Sequence, residues 1–384
     1  MGSTIESFRV DVPDATLDDL RRRLGSTRYP AQIPGAGWDY GTDLDYLRDL
    51  VAYWHDRYDW RTTEDRLNRY EHHTTEIDGQ GIHFLHAASP VPDALPLILT
   101  HGWPGSIVEF LAVIDPLRDP VRHGGDAADA FHVVCPSLPG YAFSGPTHER
   151  GWHTGRVAAA WAQLMARLGY QRYAAQGGDW GSFVTSQLAL TDPEHLAGIH
   201  LNMAIPNPAS DDPATFTADE QAAIAGFGRM MGEEGGYVRI QSTRPQTLGY
   251  ALEDSPAGLC AWIIEKFRAW SDCDGDIERS FTKDQLLDNV MLYWVTGTAH
   301  SSVRLYYDFD QAMRSGQLEF GSRIEVPTGY ARYPKEIMQT SRRWAERDYN
   351  LVHFADMPRG GHFAAMEQPE LFVDDVRACF RSVR

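Results

Sequence analysis

The chain has 384 residues and a formal net charge of −18, so neither a nucleic-acid groove nor an anionic membrane surface is an expected partner. Hydrophobic residues make up 43% of it, enough for one large core or two domains, and its four cysteines, Cys135, Cys260, Cys273 and Cys379, are too scattered for a metal-ligand spacing. No apolar run reaches the ~18 residues of a membrane span and residues 1–24 lack the apolar core of a signal peptide, so a soluble, cytoplasmic protein is the expectation.

In chain order, the alternation from Phe8 to Val12 predicts a short strand. A helix is expected near Thr16 to Leu24, with Asp14 or Thr16 as its cap and Asp18 and Asp19 in its first turn. A Pro/Gly-rich passage leads to an aromatic helix carrying Tyr46, Leu50, Tyr53 and Trp54. The run from Tyr70 to Ala88, with Asp78-Gly79-Gln80-Gly81 at its centre, reads as a hairpin. Short strands are predicted at Leu95–Thr100, Phe131–Cys135, Tyr170–Ala175 and Gly198–Met203, with helices near 106–117, 155–168 and 182–191. Such alternation implies an α/β fold with a mostly parallel sheet and helices on both faces.

Between about 204 and 318 the alternation gives way to helical, aromatic sequence with Trp262, Phe267, Trp270, Tyr293 and Trp294. Beyond it a strand is expected at Arg323–Pro327, a helix from Glu336 to Ala345, a strand at Leu351–Phe354 and a last helix near 363–381. The expected division is therefore an N-terminal segment (1–92) wrapping core and cap, a first core portion (93–203), an inserted helical cap (204–318) and a second core portion (319–384).

The sharpest local signal is Gly177-Gly178-Asp179-Trp180-Gly181, between a predicted strand and a predicted helix. This is the layout of a nucleophile elbow, G-x-S-x-G, with Asp in the place of Ser. Read alone, the motif favours the elbow, with an Asp capping a helix after a glycine turn as the alternative. Elbow hydrolases need an acid and a histidine in the chain order nucleophile, acid, histidine. His362, in Gly360-Gly361-His362-Phe363 after the last predicted strand, has that order and position. Glu336 is the candidate acid, with Asp308, Asp310 and above all Asp356 as rivals. His101-Gly102-Trp103-Pro104-Gly105-Ser106 matches the loop that supplies an oxyanion-hole N–H, so the backbone N–H groups of Trp103 and Trp180 are the candidate donors.

An Asp nucleophile narrows the chemistry. A serine alkylated by an epoxide would become an ether, which water does not readily cleave. A carboxylate that opens an epoxide becomes an ester, and water can attack its carbonyl carbon. Asp179 therefore points to substitution at an sp³ carbon, in an epoxide or an alkyl halide.

The chain resembles the microsomal-type epoxide hydrolases over nearly all its length, in HGWPGS at 101–106, GGDWGS at 177–182, GYVRIQ at 236–241, SPAGLCAWIIEKF at 255–267, NVMLYWVTGT at 289–298, VPTGYA at 326–331 and RGGHFAAMEQPE at 359–370. The resemblance implies an α/β-hydrolase fold, the acid on Glu336, and two cap tyrosines that hydrogen-bond the epoxide oxygen. It places these on Tyr237 and Tyr306, with Tyr307 a close rival. A phenol suits the role because ring opening creates an alkoxide that needs a proton.

No cofactor and no metal are expected: His72, His73, His83 and His86 match no zinc spacing, and no phosphate-binding glycine loop occurs. The expected partner is a small-molecule epoxide, bulky and partly apolar, either a xenobiotic or a biosynthetic intermediate. A homodimer is a secondary expectation. Two rival functions remain open: a haloalkane dehalogenase, which needs no pair of phenol donors because halide leaves without a proton, and a non-catalytic binding protein on the same fold.

Overall fold

In the computed structural model, which describes residues 4–208, 211–318 and 321–384, nine strands form one sheet. They are β1 (Glu6–Phe8), β2 (Glu71–Ile77), β3 (Gln80–Ala87), β4 (Leu95–Thr100), β5 (Phe131–Pro136), β6 (Tyr173–Gly177), β7 (Leu196–Leu201), β8 (Ile324–Arg332) and β9 (Tyr349–Asp356). Their order is β1-β2-β3-β5-β4-β6-β7-β8-β9. The pairs from β1 through β3 to β5 are antiparallel, and those from β5 to β9 are parallel. Every residue of β4, β6 and β7 is buried, so the centre of the sheet is covered on both faces.

Helices α1 (Asp14–Gly25), α2 (Leu44–Asp56) and α3 (Trp60–Leu67) precede the hairpin. Helices α4 (Ile114–Arg118), α5 (Thr154–Arg167) and α6 (Trp180–Thr191) lie between the parallel strands. The inserted cap contains α7 (Ala218–Arg229), α8 (Gly236–Thr243), α9 (Pro245–Asp254), α10 (Pro256–Trp270), α11 (Lys283–Thr296), α12 (Ala299–Ser302) and α13 (Arg304–Arg314). The chain then returns to the sheet with α14 (Arg342–Asp348), α15 (Ala364–Glu367) and α16 (Pro369–Phe380). Among the described residues no helix is long and apolar enough to cross a membrane.

The N-terminal segment serves both layers. Its strands β1–β3 continue the core sheet. Its helices grip the cap: the Tyr58 and Tyr53 hydroxyls donate to Asp288 and Asp284 at 2.8 Å, and Arg66 pairs with the buried Asp288 at 3.0 Å. The expected cap boundary at 318–319 runs onto residues outside those described.

Several expected elements are corrected, each for a physical reason. The first strand stops at Phe8, because the N–H groups of Val10 and Val12 donate to the side chains of Asn68 and Glu64 instead of to a ladder. Helix α1 begins after Pro13, with no side-chain cap from Asp14 or Thr16. The segment 106–117 is not one helix but a 3₁₀ turn at Ile107–Phe110 followed by α4, since Pro116 would fall deep inside a continuous helix. Glu336 does not start a helix. Residue 335 bridges to Gly361, and the Glu336 carboxylate accepts the N–H of Ile337 at 2.6 Å, so the helix begins only at Arg342, capped by Ser341.

Candidate active site

The sequence at the end of β6 leaves room for nothing larger than glycine. A Cβ on Gly177 would lie 2.1 Å from the carbonyl oxygen of Gly181, and one on Gly181 would lie 1.9 Å from that of Thr100. The chain can therefore turn within Gly177–Gly181, and α6 starts at Trp180. Asp179 takes φ 49° and ψ −128° at the apex, a backbone state that costs a non-glycine residue about 1–3 kcal/mol. Gly181→Ala is expected to lower the urea midpoint by the equivalent of about 3 kcal/mol or more, because the new methyl meets backbone that cannot swing away. An unchanged midpoint would show that the elbow can relax.

Three elements converge on Asp179. The backbone N–H of Trp103, after β4, donates to its Oδ1 at 2.8 Å. The Nε2 of His362, after β9, stands 3.4 Å from its Oδ2. On the far side of the imidazole, Nδ1 is 2.7 Å from Oε1 of Glu336, after β8. Both partners of this pair are buried. Burial alone would lower the His362 imidazole, but the Glu336 and Asp179 carboxylates outweigh it and hold the ring well above its ordinary value.

The rival acids are engaged elsewhere: Asp356 with Arg332 at 2.6 Å, Asp310 with Arg314 at 2.7 Å, and Asp308 with the N–H of Trp152 at 3.2 Å.

Tyr237 on α8 and Tyr306 on α13 close the site from the cap. Tyr237 lies stacked on Trp103 at 5.1 Å, and Tyr306 stands edge-on to Trp180 at 4.7 Å. The two phenol rings are 5.7 Å apart, near enough for the Tyr306 hydroxyl to act on the ionisation of Tyr237. Burial, and then the nearby Asp179 charge, push Tyr237 well above its ordinary value; burial, then Tyr237 and Asp179, do the same to Tyr306. Both are thus neutral phenols that keep a proton to give. Tyr307, one residue along α13, is only half-buried.

The cap also fixes the loops below it. Asn289 donates to the carbonyl of Pro104 at 2.7 Å and Tyr293 to that of Gly105 at 2.5 Å, so α11 holds the 101–106 loop. The His362 N–H donates to the carbonyl of Trp270 at 2.9 Å, so the end of α10 holds the histidine loop. Glu367 ties the same two segments, accepting the N–H groups of Asp272 at 2.8 Å and Phe363 at 2.9 Å. Lys266 on α10 places its ammonium 4.9 Å from the centre of the Tyr237 ring, a cation–π contact that holds the ring in place.

The sequence reading missed Glu109, Gln176, Lys266, Trp270 and Glu367. The signal for Glu109 was a lone acid in the apolar run Ile107-Val108-Glu109-Phe110, just past the glycine loop. The others lie in helices and strands whose spacing gives no hint of what they face.

One cavity opens onto the site and a second lies near it. A small one of about 20 Å³ sits between Glu109, Gln176, Asp179, Asn202 and His362. A larger one of about 260 Å³ is walled by Phe183, Leu190, Met203, Ile205, Ile324 and Tyr349. Phe183 packs against Trp180 at 5.4 Å, so one layer of side chains separates this chamber from the elbow.

Comparison with known proteins places the chain in a family. Residues 5–110 match the family described as epoxide hydrolase N terminus, and residues 96–234 match the alpha/beta hydrolase fold. A Stigmatella aurantiaca protein provisionally named an epoxide hydrolase is 48% identical over 99% of this chain and 86% of its own length. Epoxide hydrolase 1 of Sus scrofa is 37% identical over 97% of this chain and 88% of its own. The chain belongs to the epoxide hydrolase family. Family membership extends to the whole architecture. The juvenile hormone epoxide hydrolase of the silkworm Bombyx mori superposes with a TM-score of 0.90 at 33% identity, covering 99% of this chain and 95% of that one. The Aspergillus niger epoxide hydrolase superposes with a TM-score of 0.88 at 33% identity, covering 99% and 97%.

Proposed function

We propose that the chain hydrolyses an epoxide to a vicinal diol through a covalent ester on Asp179. The observation that carries this reading is the Asp179 carboxylate itself, with Oδ1 held by the Trp103 N–H at 2.8 Å and Oδ2 3.4 Å from Nε2 of His362. Oδ2 attacks one epoxide carbon and the C–O bond of the ring breaks. The departing oxygen takes a proton from Tyr237 or Tyr306, the other phenol donating a hydrogen bond to it. Water then attacks the ester carbonyl carbon, losing a proton to Nε2 of His362. Charge collects on Oδ1 against the N–H groups of Trp103 and Trp180. Collapse breaks the bond between the carbonyl carbon and the alkylated oxygen. His362 returns its proton to the diol oxygen, and the second water proton passes from the new Asp179 carboxyl to the phenolate, so that Asp179, now holding an oxygen from water, and the tyrosine are both restored.

Glu336 supports the second half by stabilising the imidazolium and holding the ring. In Glu336→Gln the hydrogen bond from Nδ1 loses its charged acceptor. Turnover is expected to fall by about 10²–10⁴-fold with the Asp179 ester accumulating, and intact-protein mass spectrometry after rapid quench would detect it. Wild-type turnover in this variant would remove Glu336 from the mechanism.

The substrate we infer is a small-molecule epoxide, bulky and partly apolar. Aromatic walls at Trp103, Trp180, Tyr237 and Tyr306 support that choice, and the 260 Å³ chamber behind Phe183, lined by both apolar and polar side chains such as Leu190, Met203, Gln187 and Asn207, fits a partly apolar molecule. The test of the function is direct. Purified protein is given styrene oxide and, separately, 1-bromobutane. Diol from the first and no halide from the second is the expected result. Halide release without diol would favour a dehalogenase, whose leaving group needs no proton.

A further inference from the structure

We propose that Glu109, helped by Gln176, holds the hydrolytic water against His362 in the small cavity beside Asp179. This rests on the epoxide hydrolase reading and assigns a residue to its second half-reaction. The cavity of about 20 Å³ matches a single water, which needs about 10–15 Å³ of such space and two to four polar partners. The partners are present. His362 has one ring nitrogen committed to Glu336 at 2.7 Å, which leaves Nε2 for the water once Asp179 is esterified. Gln176 is buried, and its Nε2 donates to Asn202 at 2.8 Å, so its Oε1 remains without a partner. A buried amide oxygen left in this way costs free energy unless a donor reaches it. Glu109 adds a carboxyl to the same wall, packed so tightly over Gly105 that a Cβ there would lie 1.4 Å from its Oε1.

A water in this cavity gives one hydrogen to Nε2 of His362 and the other, as a hydrogen bond, to Glu109 or Gln176. Its lone pair then points at the ester carbonyl carbon. The new C–O bond forms as Nε2 takes the proton, and the displaced electron pair rests on Oδ1 beside the Trp103 N–H. Glu109 keeps its own proton count through the step. Its ionisation follows the state of Asp179: burial first, opposed by His362 and reinforced by the Asp179 carboxylate, pushes Glu109 up to about 8. Esterification removes the Asp179 charge, so Glu109 becomes a better acceptor when the water must be oriented.

The test is a single-turnover measurement on wild type, Glu109→Gln and Glu109→Asp with styrene oxide, following the Asp179 adduct by rapid quench and mass spectrometry. In Glu109→Gln, adduct formation is expected to stay within about threefold of wild type while adduct decay slows by about 10–100-fold. Glu109→Asp should recover part of the decay rate. A role confined to packing would not separate the two steps, and adduct formation itself reports a folded site. Decay at the wild-type rate in Glu109→Gln, or equal slowing of both steps, would overturn the assignment. Diol release by wild type with no adduct at all would instead reject the covalent reading on which it rests.

Discussion

His362→Gln is expected to halt turnover after ring opening, leaving the substrate attached to Asp179. The two half-reactions make different demands. Ring opening uses a carboxylate that is already a nucleophile and phenols that already carry a proton. Ester hydrolysis uses water, which becomes a competent nucleophile only as a base removes its proton. Nε2 of His362 stands 3.4 Å from Asp179, and the Glu336 carboxylate behind the ring stabilises the imidazolium that forms. Loss of the base should slow the second step by about 10²–10⁴-fold, and the first far less. The variant should therefore show a mass equal to enzyme plus substrate, on the peptide containing Asp179. In wild type, one turnover in oxygen-18 water should leave the label in Asp179 and none in the diol. Label in the diol at the first turnover, with no adduct in His362→Gln, would mean that water attacks the epoxide directly. The dependence on pH has a fixed sign. The base must be neutral to act, so ester hydrolysis loses rate on acidification. Esterification of Asp179 withdraws one of the two carboxylates that hold His362 high, so the ring releases its proton more readily in the ester state.

Replacing both Tyr237 and Tyr306 by Phe is expected to stop the first half-reaction. An alkoxide is a poor leaving group, and the site offers these two phenols, both neutral and both turned toward one another from separate cap helices. Each single Phe variant should lose about 10²-fold in the rate of adduct formation, because the remaining phenol still donates, and the double variant about 10³-fold or more. The decay of any adduct that forms should be near normal, since the tyrosines do not touch the water. The same experiment separates the two chemistries, because halide departs without a proton. Undiminished ring opening in the double variant would exclude the donor role, and Tyr307 would not rescue it from its half-buried place on α13.

The elbow was legible because the constraint there is local. Gly177-Gly178-Asp179-Trp180-Gly181 must turn within a few residues, and a Cβ on Gly177 would meet the carbonyl of Gly181 only four residues on, although Gly181 is restricted by Thr100 on the neighbouring strand. His362 was legible for a similar reason, since its place after the last strand follows from chain order. The hairpin and Leu95–Thr100 were read from pattern alone and stand where pattern put them. Glu336 shows the limit. Its position after the resumed strand was readable, but it was expected at a helix start and lies in a loop held by the bridge between residue 335 and Gly361, a contact between segments that are distant in the sequence.

What the sequence determined by itself is therefore the set of candidate groups and their order: a carboxylate at an elbow, an acid, a histidine, and an alternating strand–helix chain with a helical insertion. What only the tertiary structure decided is which way the groups face. Spacing cannot distinguish Tyr306 from Tyr307, whereas burial against Trp180 does. Nor can it bring Trp270 to the His362 N–H, or set Glu109 and the unpartnered oxygen of Gln176 around one small cavity. Local sequence fixes backbone conformation through sterics that act over a few residues. The direction of a side chain in a buried site is set by packing between elements that meet only when the cap has closed on the sheet.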